Sequence, residues 1–262
     1  MDADHDRGAV KPSFLVSFPR SGSNFLQNVL SKSCQVAARS IYAANPAEVE
    51  GGNLKSHAPT PEYLADEVTR RLGDAAPQGH VPVIWLVRDP RDAMISFYEY
   101  SRHRLGMELD QTRFCTDFDW FLAAPIDRTC ERRTLQSPLT VMEAYRLHLA
   151  RWQQEHAAGR VLLVRYEELL VRTEEVFAAI AGALGLPAPN RLEGIEEKVS
   201  QYSDDGRARG TSGAWKQHRE TYAEIIARVE AALGSEMECL GYLVSPGGAK
   251  PWRWLPRLGR RD

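Results

Sequence analysis

Three short runs of apolar, β-branched-rich positions punctuate the chain: FLVSF at 14–18, VPVIWLVRD at 81–89 and VLLVRYEEL at 161–169. Each ends in polar or small residues and passes into a segment of helical period. Repeated strand-then-helix units predict an α/β fold, a three-layer arrangement in which a mainly parallel sheet is flanked by helices. Elsewhere the period is helical. VMEAYRLHLARWQQEHAAG, 141–159, places Met142, Tyr145, Leu149 and Trp152 on one face and is closed by Gly159; that stripe is read as packing. TEEVFAAIAGALGL, 173–186, has acidic residues in its first turn and Gly185 near its end, the pattern of a second core-facing helix. The stretch 101–139 has no clean period of either kind.

Composition narrows the picture. A chain of 262 residues with 43% hydrophobic content has enough apolar material for one large core. A single domain over 1–262 is expected, with a polar tail over about 1–12 and an aromatic and basic tail over about 246–262. A formal net charge of −2 supplies no global basic field, so nucleic acid is not an expected partner and any anion site has to be local. Cys34, Cys115, Cys130 and Cys239 stand far apart without a C-x-x-C pair and read as reduced thiols. The first residues, MDADHDRGAVKP, contain no apolar segment, and no later apolar run is long enough to span a bilayer; a cytoplasmic protein is expected.

In parallel sheets of this kind, ligands sit beyond the carboxyl ends of the strands. After the first run comes SFPRSGSNFLQNVL, 17–30. Ser21, Gly22 and Ser23 are small enough for backbone N–H groups to close around an anion, a helix beginning near Ser23 aims its positive end there, and Arg20 adds fixed charge. The Walker A pattern is absent, because its earlier glycine is missing. After the second run, Arg88 stands at the strand end, Asp89-Pro90 reads as a helix N-terminus, and Ser96 lies on that helix. Arg88 and Ser96 suit a second phosphate, whereas Arg91-Asp92 reads as a solvated pair. Two anion sites imply a doubly phosphorylated ligand.

SFPRSGSNF paired with VRDPRDAMISFYEY resembles the two nucleotide-binding segments of the sulfotransferases that use 3′-phosphoadenosine 5′-phosphosulfate, PAPS. NLKSHAP (53–59), VLLVRYEEL (161–169) and RGTSGAWKQH (209–218) stand in the family's order, so the likeness runs from Phe14 to about His218. The resemblance implies a P-loop-like fold that moves a sulfuryl group from PAPS to a hydroxyl of a small-molecule, carbohydrate or glycolipid acceptor without a metal. It implies that Arg20, Ser21, Gly22, Ser23 and Asn24 cradle the 5′-phosphosulfate. Arg88, Ser96, Arg209 and Gly210 would hold the 3′-phosphate, and Phe25 and Tyr166 would lie near the adenine. His57 would be the base and Lys55 would bind the transferring group, with Arg20 and Ser96 completing the catalytic set. Arg20 stands where most soluble members have lysine, and arginine does not readily give up a proton. Phe25 replaces a common tryptophan.

The irregular stretch then reads as an acceptor lid, with Phe114, Phe118, Trp120 and Phe121 as an apolar wall. In the tail PWRWLPRLGRRD, Trp252 and Trp254 beside four arginines suit weak contact with an anionic lipid surface. Two other readings stay open at this point. One is a P-loop kinase, which needs magnesium and the missing Walker lysine; the other is a catalytically silent relative acting as a binding module.

Overall fold

The computed structural model describes residues 12–43, 52–108, 118–126, 138–195 and 212–243. Five strands form one sheet: β1 (Ser13–Ser17), β2 (Ala37–Ser40), β3 (Gly52–Ser56), β4 (Val83–Val87) and β5 (Leu162–Arg165). All neighbouring pairs are parallel, in the order β2-β3-β1-β4-β5. The three apolar runs supply β1, β4 and β5. The other two strands come from AARS and GNLKS, which lack an apolar run. In β3 the polar Asn53 is fully buried yet satisfied: its side-chain N–H donates to Ser13 Oγ at 3.0 Å, and Gln27 donates to its backbone and side-chain oxygens. Cross-strand hydrogen bonding thus builds a central strand where composition alone is weakly β-forming.

Helices cover both faces. They are α1 (Ser23–Cys34), α2 (Pro61–Leu72), α3 (Pro90–Glu108), α4 (Phe118–Ala123), α5 (Val141–Ala157), α6 (Tyr166–Val171), α7 (Thr173–Ala183), α8 (Ala214–Gln217) and α9 (Ala223–Cys239). Alternation along the strands divides the core. Phe14, Val16, Phe18, Trp85 and Val87 face α2, α3, α5 and α9, whereas Leu15, Ile84, Leu86 and Val164 face α1, α6 and α7. The helix at 141–157 buries Tyr145, Leu149 and Trp152 as its period predicts, with Met142 partly buried against the same cluster. Its start is fixed by a capping box between Thr140 and Glu143.

The order of strands places the site. From central β1 the chain moves to β2 and β3 on one side, then crosses to β4 and β5 on the other. The carboxyl ends of β1, β3 and β4 therefore meet in the crevice where such sheets bind ligands. Two of the four residues expected to form an aromatic wall have described side chains. Phe121 is fully buried against Phe97, Tyr98 and Phe118, so it fills core and lines no wall; Phe118 is half-buried beside it. Phe114, the Trp120 side chain and the two tails lie outside the described residues. Cys34 and Cys239 are free thiols. Among the described residues, no helix is long and apolar enough to cross a membrane.

Candidate functional site

β1 ends at Ser17, and the chain turns through Phe18, Pro19, Arg20, Ser21 and Gly22 before α1 begins. The turn is bought with unusual backbone: Arg20 has φ 67° and Gly22, the N-cap of α1, has φ 96°. A non-glycine residue in this region is strained, and such strain concentrates at functional sites. Glycine is required at position 22 for a second reason. A Cβ there would lie 2.4 Å from two ring carbons of Tyr166. Gly22 supplies no side-chain cap, so the first N–H groups of α1, at Ser23, Asn24 and Phe25, have no carbonyl one turn earlier to bond. They point out of the helix N-terminus, where the macrodipole favours negative charge.

Cationic side chains converge on this turn from three strands. Arg88, just past β4, donates from Nη1 to the carbonyl of Arg20 at 3.1 Å and lies 5.0 Å from the Tyr166 ring centroid. The Arg20 guanidinium lies 4.8 Å from the ring of Tyr100, and its Nε donates to Ser96 Oγ at 3.4 Å. Thus α3 aims Arg20. Lys55, from β3, donates to the side-chain oxygen of Asn24. Among the described residues, Ser17 Oγ, Ser21 Oγ and Arg88 Nε are buried here without a hydrogen-bond partner. Buried polar atoms are normally paired, and Ser21 and Arg88 leave donors for an acceptor-rich ligand.

His57 immediately follows β3. Its Nδ1 lies 2.8 Å from the Ser17 carbonyl, which can only accept, so Nδ1 carries the proton and Nε2 keeps its lone pair. Its backbone N–H donates to Tyr42 Oη at 2.9 Å, and the Tyr42 ring stacks beside the imidazole. Burial, then the nearby Lys55 ammonium, lowers the His57 pKa to about 3, so the free protein holds a neutral imidazole. An anion bound between Lys55 and Arg20 acts in the opposite direction, because it offsets the positive charge that opposes protonation.

Arg20, Ser21, Gly22, Ser23, Asn24, Lys55, His57, Arg88 and Ser96 are thus gathered at one end of the sheet, as the strand-end argument anticipates. Tyr166 is buried beneath the turn between Gly22 and Arg88, and Phe25 is half-buried at the start of α1. Arg209 and Gly210 lie outside the described residues.

The expectation for Arg91 and Asp92 is overturned, since both are buried. Arg91 pairs bidentately with Asp89, with Nε to Oδ1 at 2.9 Å and Nη2 to Oδ2 at 2.7 Å, and it also donates to Glu230 and to the Tyr242 carbonyl. Its guanidinium stacks 3.8 Å from the Trp215 ring centroid. Asp92 accepts the backbone N–H groups of Gly213 and Trp215 at 2.7 and 2.8 Å. Burial raises the Asp92 pKa while Arg88 lowers it. Glu167 joins the same network, accepting from the Asp89 N–H and from Tyr242 Oη. This cluster ties Gly213 and Trp215 to the end of β4 and the first turn of α3. Its sequence signal was only an arginine and an aspartate in the first turn of a helix, which surface helices show equally often.

Comparison with known proteins decides the family. The Sulfotransferase domain family model matches residues 74–237. The chain belongs to the sulfotransferase family. Human sulfotransferase 4A1 is 24% identical over 236 residues, covering 79% of this chain and 75% of its own. Among solved structures, mouse sulfotransferase SULT7A1 complexed with PAP has a TM-score of 0.59 at 16% identity, covering 88% of both chains. Retinol dehydratase in complex with retinol and PAP has a TM-score of 0.51 at 15% identity, covering 87% of this chain and 82% of its own. At these identities the structural likeness shows the fold, which is the P-loop-like fold of sulfotransferases.

Proposed function

We propose that this chain is a PAPS-dependent sulfotransferase, transferring a sulfuryl group to a hydroxyl by in-line displacement with His57 as base. The observation that carries the reading is the convergence on the β1–α1 turn of Arg20, Lys55, Arg88 and the uncapped helix N-terminus, with a neutral histidine beside them. The donor set fits the nucleotide. Ser21, Gly22, Ser23 and Asn24 would hold the 5′-phosphosulfate with Arg20 and Lys55, and the unpaired Arg88 Nε and Ser96 would take the 3′-phosphate together with Arg209 and Gly210. PAPS supplies the activated sulfuryl group.

The residues then divide the work. His57 Nε2 accepts the acceptor hydroxyl's proton while the Ser17 carbonyl holds the ring by Nδ1. Lys55 and Arg20 place positive charge where the leaving oxygen becomes anionic. Since Arg20 does not readily release a proton, it stabilises charge and Lys55 is the cation able to give one up. Tyr166 and Phe25 are the aromatic residues proposed for the adenine. Retinol, present in the retinol dehydratase complex, is an apolar alcohol, and it favours a small-molecule acceptor among the classes considered, which also include carbohydrate and glycolipid.

Substitution of the base tests the mechanism. His57→Ala is expected to abolish turnover of labelled PAPS over an acceptor panel while adenosine 3′,5′-bisphosphate still binds. Retained turnover would remove His57 from the mechanism. Turnover absent from the unsubstituted protein, with the bisphosphate bound, would favour a silent binding module.

A further inference from the structure

We propose that His148 is a positioning residue for His57, a role that rests on the reading of His57 as the base. His148 lies on α5, is 1% exposed, and sits in the core under the site. Trp85 Nε1, which can only donate, reaches His148 Nε2 at 3.1 Å. That contact leaves Nε2 without a proton and puts the proton on Nδ1. Nδ1 in turn lies 3.0 Å from the carbonyl of Ala58, the residue after His57. The same carbonyl accepts a second hydrogen bond from Trp152 Nε1 at 3.0 Å.

Two buried donors on one carbonyl use both of its lone pairs and fix the Ala58–Pro59 peptide plane, one residue past His57. Three further bonds hold the same short segment: Tyr42 takes the His57 N–H, Ser17 takes the His57 ring N–H, and Ser56 Oγ takes the Ala58 N–H at 3.1 Å. His148 also packs edge-on to Phe18, 6.1 Å between centroids, and Phe18 opens the turn that carries Arg20. One buried ring therefore touches both halves of the site. Burial lowers its pKa to about 4, so it stays neutral and keeps the tautomer that Trp85 imposes. A histidine that only filled space would need neither donor nor acceptor, and Leu149 beside it shows that the helix carries aliphatic core residues.

The test reads the His57 ring directly and needs no acceptor. The full chain is labelled with ¹⁵N-histidine, and long-range proton–nitrogen spectra are recorded for the unsubstituted protein, His148→Asn and His148→Leu. In the unsubstituted protein His57 should show a protonated Nδ1 and an unprotonated Nε2. His148→Leu should move both His57 nitrogens toward averaged tautomers. His148→Asn, whose amide N–H can replace Nδ1–H toward Ala58, should restore the native pair. Unchanged His57 signals in folded His148→Leu, or an asparagine variant no closer to native than leucine, would overturn the proposal. Should His148→Leu not fold, His148→Phe keeps a ring in the core without the Nδ1–H, and an unshifted His57 there would overturn it equally. Titration of the unsubstituted protein with adenosine 3′,5′-bisphosphate is the separate control. Failure to bind would sink the sulfotransferase reading while the ring spectra still decide the clamp.

Discussion

Three residues hold most of the chemistry that can be tested one side chain at a time. At Gly22 an alanine would need a left-handed backbone and would drive its Cβ into Tyr166 at 2.4 Å. Gly22→Ala is expected to cost about 1–3 kcal/mol in a urea unfolding series and to weaken bisphosphate binding, because the turn must open to admit the methyl group. His57 should show the opposite division, with turnover reduced by roughly 10²–10⁴-fold or more and nucleotide affinity nearly unchanged. His148 sets a pH dependence of stability. Its ordinary pKa of 6.5 is lowered to about 4 in the fold. Between those values the unfolded chain binds more protons than the native one, so stability rises with pH across that window and is level above it. Over the whole window this amounts to about 3 kcal/mol. Urea midpoints at successive pH values should fall on acidification through the window; His57, also lowered, adds to the slope, so His148→Asn should reduce it by the His148 share and leave that of His57.

At the scale of elements, the first turn of α3 joins parts of the chain that are remote in sequence. Arg91 connects Asp89, Glu230 on α9, the carbonyl of Tyr242 and the ring of Trp215. Removing the arginine leaves the buried Asp89 carboxylate without its bidentate partner, so Arg91→Met should destabilise by about 3–5 kcal/mol. Loss below about 1 kcal/mol in calorimetry would mean that the network is solvated after all. Neither the burial of Arg91 nor its partners could be read from the sequence. An arginine followed by an aspartate looks the same on a surface as in a core, and Glu230 and Tyr242 lie 139 and 151 positions away. Strands β1 and β4 were legible because central parallel strands need continuous apolar runs, and edge strand β5 because its own run, VLLV, is equally apolar. β3 was not, since Asn53 is stabilised by Gln27 and Ser13, contacts that exist only once the sheet has formed. The β1–α1 turn was legible in its residue types, yet the left-handed conformation of Arg20 was not, because no local rule places a non-glycine there. Phe121 read as a wall residue for the same kind of reason: apolar pattern gives burial but not which cavity, if any, a ring borders.

For the whole molecule, the parallel sheet and its crossing between β3 and β4 gather segments spanning Arg20 to Tyr166 at one edge. The family match covers 74–237, which includes Arg88, Arg91, Trp215 and Glu230 but begins after the β1–α1 turn, Lys55 and His57. We propose that this edge binds a nucleotide carrying phosphates on both its 3′ and 5′ positions. The most direct measurement is a thermal-shift titration with adenosine 3′,5′-bisphosphate beside AMP and ATP–Mg²⁺ at matched concentrations. A ligand at about 100 times its dissociation constant adds about 2.7 kcal/mol to native stability, enough for a clear rise in midpoint. The bisphosphate should raise the midpoint well above AMP at every concentration, since AMP lacks the group that Arg88 and Ser96 are proposed to hold. A larger shift with ATP–Mg²⁺, or none with the bisphosphate, would contradict the account.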